Sequence, residues 1–94
     1  MNAPQDVKVE KILTVRNKLG LHARPAALFV QAVGKYKCKV QVAKGEVEVN
    51  GKSLMGLMML AAEQGSQVRI RLTGNDAPAA MVDLENLFAR NFDE

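Results

Sequence analysis

Lys37-Cys38-Lys39-Val40-Gln41-Val42-Ala43-Lys44-Gly45-Glu46-Val47-Glu48-Val49 reads as two strands and a turn. Cys38, Val40 and Val42 fall on one face, and Lys37, Lys39 and Gln41 on the other, which is the two-residue period of a half-solvated strand. Lys44 and Gly45 interrupt the run, and Glu46 to Val49 alternates again. A hairpin is predicted, with Glu46 and Glu48 set near the lysines across the ladder, favourable by roughly a few tenths of a kcal/mol.

The same two periods continue outward. Val7 to Val15 places β-branched and apolar residues between charges, a strand whose alternation slips once near Lys11 and Ile12. Asn17, Lys18 and Gly20 break it. Ala23 to Val33 then sets Ala26, Phe29, Val30 and Val33 at helical spacing, with Pro25 in the first turn, where a missing N–H costs nothing, and with Gly34 and Lys35 as stop signals. Beyond the hairpin, Asn50 and Gly51 lead to Ser53, an N-cap for a short helix from Leu54 to Ala62 that Gln64 and Gly65 close. Gln67 to Leu72 alternates with Val68, Ile70 and Leu72 inward, and Gly74 and Asn75 end it. Asp76 caps a last helix with Pro78 in its first turn and Met81, Leu84, Leu87 and Phe88 on the buried stripe. The order βαββαβα, each strand apolar on one face only, predicts an α+β open-faced sandwich: a four-stranded antiparallel sheet with three helices on one face. With no repeat, linker or low-complexity stretch, residues 1–94 read as one domain.

Composition narrows the function. Ninety-four residues, 48% of them hydrophobic, suit one small core and one surface site. Thirteen basic and ten acidic side chains are interleaved, a mild bias of +3 unlike a nucleic-acid-binding tail. Met1 to Glu10 is polar, without the apolar centre of a signal sequence, and no segment nears the ~20 apolar residues of a membrane span. A cytoplasmic, soluble protein working as a monomer is expected, without nucleic-acid or membrane partners. One cysteine, Cys38, and one histidine, His22, are too few for a structural metal site, so neither metal nor cofactor is expected.

Chemistry concentrates in Asn17-Lys18-Leu19-Gly20-Leu21-His22-Ala23-Arg24-Pro25-Ala26-Ala27, where the histidine meets a loop and a helix start. Unpaired N–H groups and the positive end of the helix dipole stabilise an anion there by roughly 0.3 to 1 kcal/mol. A phosphoryl group is such an anion, and an imidazole nitrogen is a nucleophile that can accept it. Arg24 can lay its planar fork on phosphate oxygens, and Pro25 brings no competing donor. Alternatively, His22 is only a helix cap or a surface imidazole.

Gly20-Leu21-His22-Ala23-Arg24-Pro25-Ala26, preceded by Asn17, resembles the active-site signature of the histidine phosphocarrier protein (HPr) family of the bacterial phosphoenolpyruvate-dependent phosphotransferase system. The likeness continues through Val49-Asn50-Gly51-Lys52-Ser53-Leu54-Met55-Gly56, similar to that family's regulatory serine segment, and through Gly65 and Gly74, over roughly residues 7 to 92. The resemblance implies the βαββαβα sandwich that the residue pattern reached independently. It also implies that His22 receives a phosphoryl group from enzyme I and delivers it to IIA components of sugar transporters, with Arg24 as phosphate partner. The protein would then be a carrier rather than an autonomous enzyme. Ser53 would be a target of an HPr kinase/phosphorylase as well as a cap. Leu87-Phe88 and Asn91-Phe92-Asp93-Glu94 resemble the ending of the family's nitrogen-branch paralogue, which makes a regulatory acceptor the alternative.

The helix after Ser53 carries Leu54, Met55, Leu57, Met58, Met59 and Leu60, more apolar residues than one buried stripe holds. Leu54 and Met58 beside His22, with Met55, Ala23 and Ala27, would form an adaptable contact patch for several partners. The competing view makes Leu57, Leu60 and Ala61 core and the methionines gap fillers. Gln31 and Gly34 stand where some family members carry basic docking residues. Two other classes are open: an RNA-recognition module, which needs aromatics on the sheet, and an acylphosphatase-like hydrolase, which needs a glycine-rich phosphate loop that the His22 segment, with one glycine, lacks. A purely regulatory relative would typically lack His22.

Overall fold

The computed structural model describes residues 7–94. The polar character read for residues 1–6 therefore lies outside the described part. The elements are β1 (Lys8–Thr14), α1 (Ala23–Gly34), β2 (Lys39–Lys44), β3 (Val47–Asn50), α2 (Leu54–Met59), β4 (Gln67–Thr73) and α3 (Ala77–Ala89), followed by a 3-10 turn at Asn91–Asp93. Every strand pairing is antiparallel, in the order β1-β4-β2-β3.

One face of the sheet holds the core. Val68, Ile70 and Leu72 of central β4 are fully buried, as are Val40 and Val42 of β2. Above them, Phe29 and Val33 of α1 and Leu84 and Leu87 of α3 close the layer, with the Phe29 and Phe88 rings edge to face at 6.3 Å. Leu57 and Leu60 of the α2 segment complete it. The other face is solvated: Glu10 bridges Arg69 and Arg71 at 3.4 and 3.2 Å, exposed pairs that contribute little each. Tyr36 and the three phenylalanines all lie outside the strands, so the open face lacks the aromatic platform that base stacking needs.

Several local expectations change. β1 does not slip: its register against β4 is continuous, and Lys11 pairs with the inward-facing Ile70. Lys11 is tolerated on the helix side because the strand is at the sheet edge and its ammonium meets Glu85 of α3 at 2.8 Å. Ile12 therefore points to the open face and is exposed. β2 starts at Lys39 rather than Lys37, because the Lys37 and Cys38 N–H groups donate to the Asp76 carboxylate at 2.8 and 2.9 Å instead of to a strand. Asp76 is thus occupied and makes no side-chain cap on α3.

In the hairpin, Gly45 and Glu46 form the two-residue turn, and Gly45 supplies the positive φ (60°) that such a turn takes at its first position. Glu46 consequently leaves the ladder, and Glu48 falls opposite Ala43. Glu48 accepts from Gln41 at 3.1 Å and meets Arg71 at 3.7 Å, not the lysines. Helix α2 stops at Met59 instead of Ala62. Leu60 and Ala61 turn back onto Leu57 and Met58 with tight i-to-i−3 bonds, and Ala61 takes φ 51°. Ala61 is exposed rather than core.

Candidate functional site

The early end of α2 frees the Ala62 carbonyl, which accepts the Leu21 N–H at 2.8 Å. That bond docks the loop between β1 and α1 onto the segment after α2. Gly20 is required there: its φ is 64°, and a Cβ would stand 2.5 Å from the Ala62 carbonyl oxygen. Buried Leu21 anchors the loop in the core. Asn17, 2% exposed, closes the turn: its Nδ2 donates to the Gly20 carbonyl at 2.9 Å, and the Gly20 N–H returns to the Asn17 carbonyl at 3.2 Å. His22 follows directly on the anchored Leu21.

His22 is the N-cap of α1, with extended backbone (φ −76°, ψ −169°), and its carbonyl accepts the Ala26 N–H at 2.8 Å. Its imidazole makes no capping hydrogen bond and is exposed, so capping does not account for the side chain. Among the described residues the Ala23 and Arg24 N–H groups have no acceptor, and Arg24 has no carboxylate partner. Pro25 is buried in the first turn of α1, where its missing N–H costs nothing. An exposed imidazole, two free N–H groups at a helix N-terminus and a free guanidinium form a place suited to a covalently held dianion.

A shallow depression of about 430 Å³ beside the imidazole is lined by Lys18, Leu19, Glu63 and Gln64. Leu54 and Met58 are not part of its wall. They belong to an apolar patch on α2, which packs against α1, with Leu54, Met55, Met58 and Met59 all exposed while Leu57 is buried. Ala23 is exposed and Ala27 half-buried on α1. Ser53 caps α2, its Oγ accepting the Gly56 N–H at 3.0 Å.

Three neighbours escaped sequence reasoning. Glu63 and Gln64 reach the site only because α2 ends early. Glu94 folds back onto the loop: its carboxylate accepts the Lys18 N–H at 2.7 Å and the Asn17 Nδ2 at 2.9 Å. Those donors, Asn17 foremost, hold the Glu94 carboxyl below the ordinary glutamate value. A turn residue such as Asn17 signals a tight loop, but nothing in sequence spacing pairs it with position 94.

Residues 9–90 match the family described as "PTS HPr component phosphorylation site". The phosphocarrier protein HPr of Xylella fastidiosa is 46% identical over 86 residues, covering 92% of this chain and 97% of that protein. The HPr-like protein Crh of Halalkalibacterium halodurans is 47% identical over 73 residues, 78% of this chain and 87% of that one. The crystal structure of HPr-C-His from Thermoanaerobacter tengcongensis superposes with a TM-score of 0.88 at 42% identity, covering 92% of this chain and 97% of that one.

Proposed function

Since the chain belongs to the HPr family of phosphotransferase-system phosphocarriers, we propose that His22 is the residue that carries the phosphoryl group, taking it from phosphorylated enzyme I and giving it to IIA components of sugar transporters. The observation that carries this reading is the exposed imidazole at the N-terminus of α1, next to two N–H groups and an Arg24 side chain that have no partner among the described residues. In the loading step an imidazole nitrogen attacks phosphorus, the new N–P bond forms and the bond to the donor breaks. Unloading is the same displacement with His22 as leaving group. Arg24 and the Ala23 and Arg24 amides spread the charge of the transferring group, and Pro25 keeps the helix start in shape. The chain holds the group and its partners complete the reaction, so it acts as a cytoplasmic carrier rather than an autonomous catalyst.

Partners that approach His22 dock on Ala23, Ala27, Leu54, Met55 and Met58, a mobile-side-chain surface that can repack against different proteins. Ser53 adds regulation: phosphorylated by an HPr kinase/phosphorylase, it would set a dianion beside that patch and oppose docking without unfolding α2, whose N-terminus tolerates negative charge. The ending Asn91-Phe92-Asp93-Glu94 favours a second reading, in which the acceptor is a nitrogen-branch regulatory IIA protein rather than a sugar permease component.

The test is intact mass after incubation with phosphoenolpyruvate and enzyme I, for the native chain and His22→Ala, before and after mild acid. One acid-labile phosphate on the native chain alone is expected. No uptake from an enzyme I active on another carrier overturns the assignment. Transfer from the loaded chain to purified sugar-branch or nitrogen-branch IIA proteins then separates the two acceptors.

A further inference from the structure

We infer that the Glu94 carboxylate is a positioning group for His22, clamping from behind the loop that presents the imidazole. The inference rests on the reading of His22 as the phosphoryl carrier. Glu94 Oε1 accepts the Lys18 N–H at 2.7 Å and lies 3.4 Å from the Leu19 N–H, while Oε2 accepts from Leu19 at 3.3 Å and from Asn17 Nδ2 at 2.9 Å. One carboxylate thus gathers three consecutive loop residues. Lys18 and Leu19 also line the depression beside His22, so the clamp holds the wall of the site from its far side.

Asn17 carries the clamp to His22. Its buried Nδ2 is shared between Glu94 and the Gly20 carbonyl, which fixes the amide in one orientation and leaves Oδ1 buried without a partner among the described residues. Such an orphan acceptor is costly and persists where another demand sets the orientation. Gly20 is then followed by Leu21, pinned to Ala62, and by His22. Without Glu94 the amide of Asn17 loses one of its two acceptors, and the Lys18 and Leu19 N–H groups lose theirs.

The backbone that delivers Glu94 points the same way. Asn91, Phe92 and Asp93 take φ of 53°, 55° and 58°, left-handed values that side chains with a Cβ adopt reluctantly. Strain of this kind survives only where the surroundings over-determine it. Phe92, 3% exposed and 4.8 Å from the Phe88 ring, anchors one end. Arg90 Nε donates to Asp93 at 2.9 Å, and Glu94 itself anchors the other. Among the described residues neither Arg24 nor His22 makes a hydrogen bond or ion pair with Glu94, so the carboxylate acts through the loop and not on the phosphoryl group.

The experiment compares native chain, Glu94→Gln and Glu94→Ala in phosphoryl uptake from phosphoenolpyruvate through enzyme I, with kcat and KM for the carrier resolved. Thermal unfolding and the amide proton shifts of Lys18 and Leu19 are recorded alongside. Glu94→Ala is expected to lower kcat about tenfold with KM within about twofold, as misplacement of a reacting group does. Its Lys18 and Leu19 amide signals move upfield while those of β4 stay. Glu94→Gln, which keeps one acceptor oxygen, restores part of the rate. Native kcat in Glu94→Ala, or a loss that the Gln variant does not relieve at all, overturns the inference. Absence of uptake by the native chain itself would instead overturn the assignment of His22.

Discussion

Replacing Gly20 by alanine tests how the site is built, and Gly45→Ala is its internal control. Both glycines have φ near 60°, so each substitution forces an alanine into the left-handed region, at about 1–2 kcal/mol. They differ in space. A Cβ at Gly45 meets nothing within 4 Å, whereas one at Gly20 stands 2.5 Å from the Ala62 carbonyl oxygen and 2.9 Å from the Glu63 Cα. Both of those neighbours are backbone and cannot rotate away. Relief requires separating the loop from the α2 segment, which breaks the 2.8 Å bond from Leu21 to Ala62 and adds roughly 1 kcal/mol. Gly20→Ala should therefore lose about 2–3 kcal/mol and Gly45→Ala about 1–2, roughly 1 kcal/mol less. For a chain of this size that difference is on the order of 4–8 °C in unfolding midpoint. Urea titration with the slope checked for constancy gives the stabilities. Phosphoryl uptake, measured at a temperature where both variants are folded, should fall in Gly20→Ala and stay native in Gly45→Ala. Equal destabilisation by the two changes, or native uptake by Gly20→Ala, would refute the idea that His22 is placed by docking the loop on Ala62.

Three further outcomes are expected. Ser53→Ala removes the acceptor of the Gly56 N–H and should cost about 1 kcal/mol in chemical denaturation without altering loading of His22. Asp76 accepts the Lys37 and then the Cys38 N–H, which hold its carboxyl below the ordinary 3.8, so its stabilisation is fully present above that value and lost as pH falls through the lowered folded one. Asp76→Asn should accordingly be less stable than the native chain at neutral pH and converge with it in strong acid, and a constant gap down to pH 2 would contradict this. Met58→Glu, at an exposed position, should leave the melting curve in place and raise the KM for enzyme I and acceptor proteins, whereas unchanged transfer kinetics would remove Met58 from the docking surface.

The fold was legible because its signals are local. Strict alternation in β2 and β4, helical spacing of Ala26, Phe29 and Val33, and turn residues between them depend on neighbours within a few positions, where backbone sterics and one-sided burial act directly. Element ends were less legible. The start of β2 was decided by Asp76, which precedes α3 as its sequence suggested but whose carboxylate binds two N–H groups some 38 residues away instead of capping its own helix. Lys11 read as a slip because its partner, Glu85, lies 74 residues along the chain.

The site divides in the same manner. His22, Arg24, Pro25 and Ser53 were visible because a helix N-terminus creates its anion-binding groups from consecutive residues. Sequence alone thus determined the layered α+β architecture and singled out the residue proposed to bear a phosphoryl group. Tertiary structure alone decided that Gly20 must lack a side chain against Ala62, that Glu63 and Gln64 border the imidazole, and that Glu94 holds Asn17, Lys18 and Leu19. Hydrogen bonds and contacts between residues 40 to 77 positions apart leave no periodic trace, since any polar side chain delivered to that place by the fold would read the same in sequence.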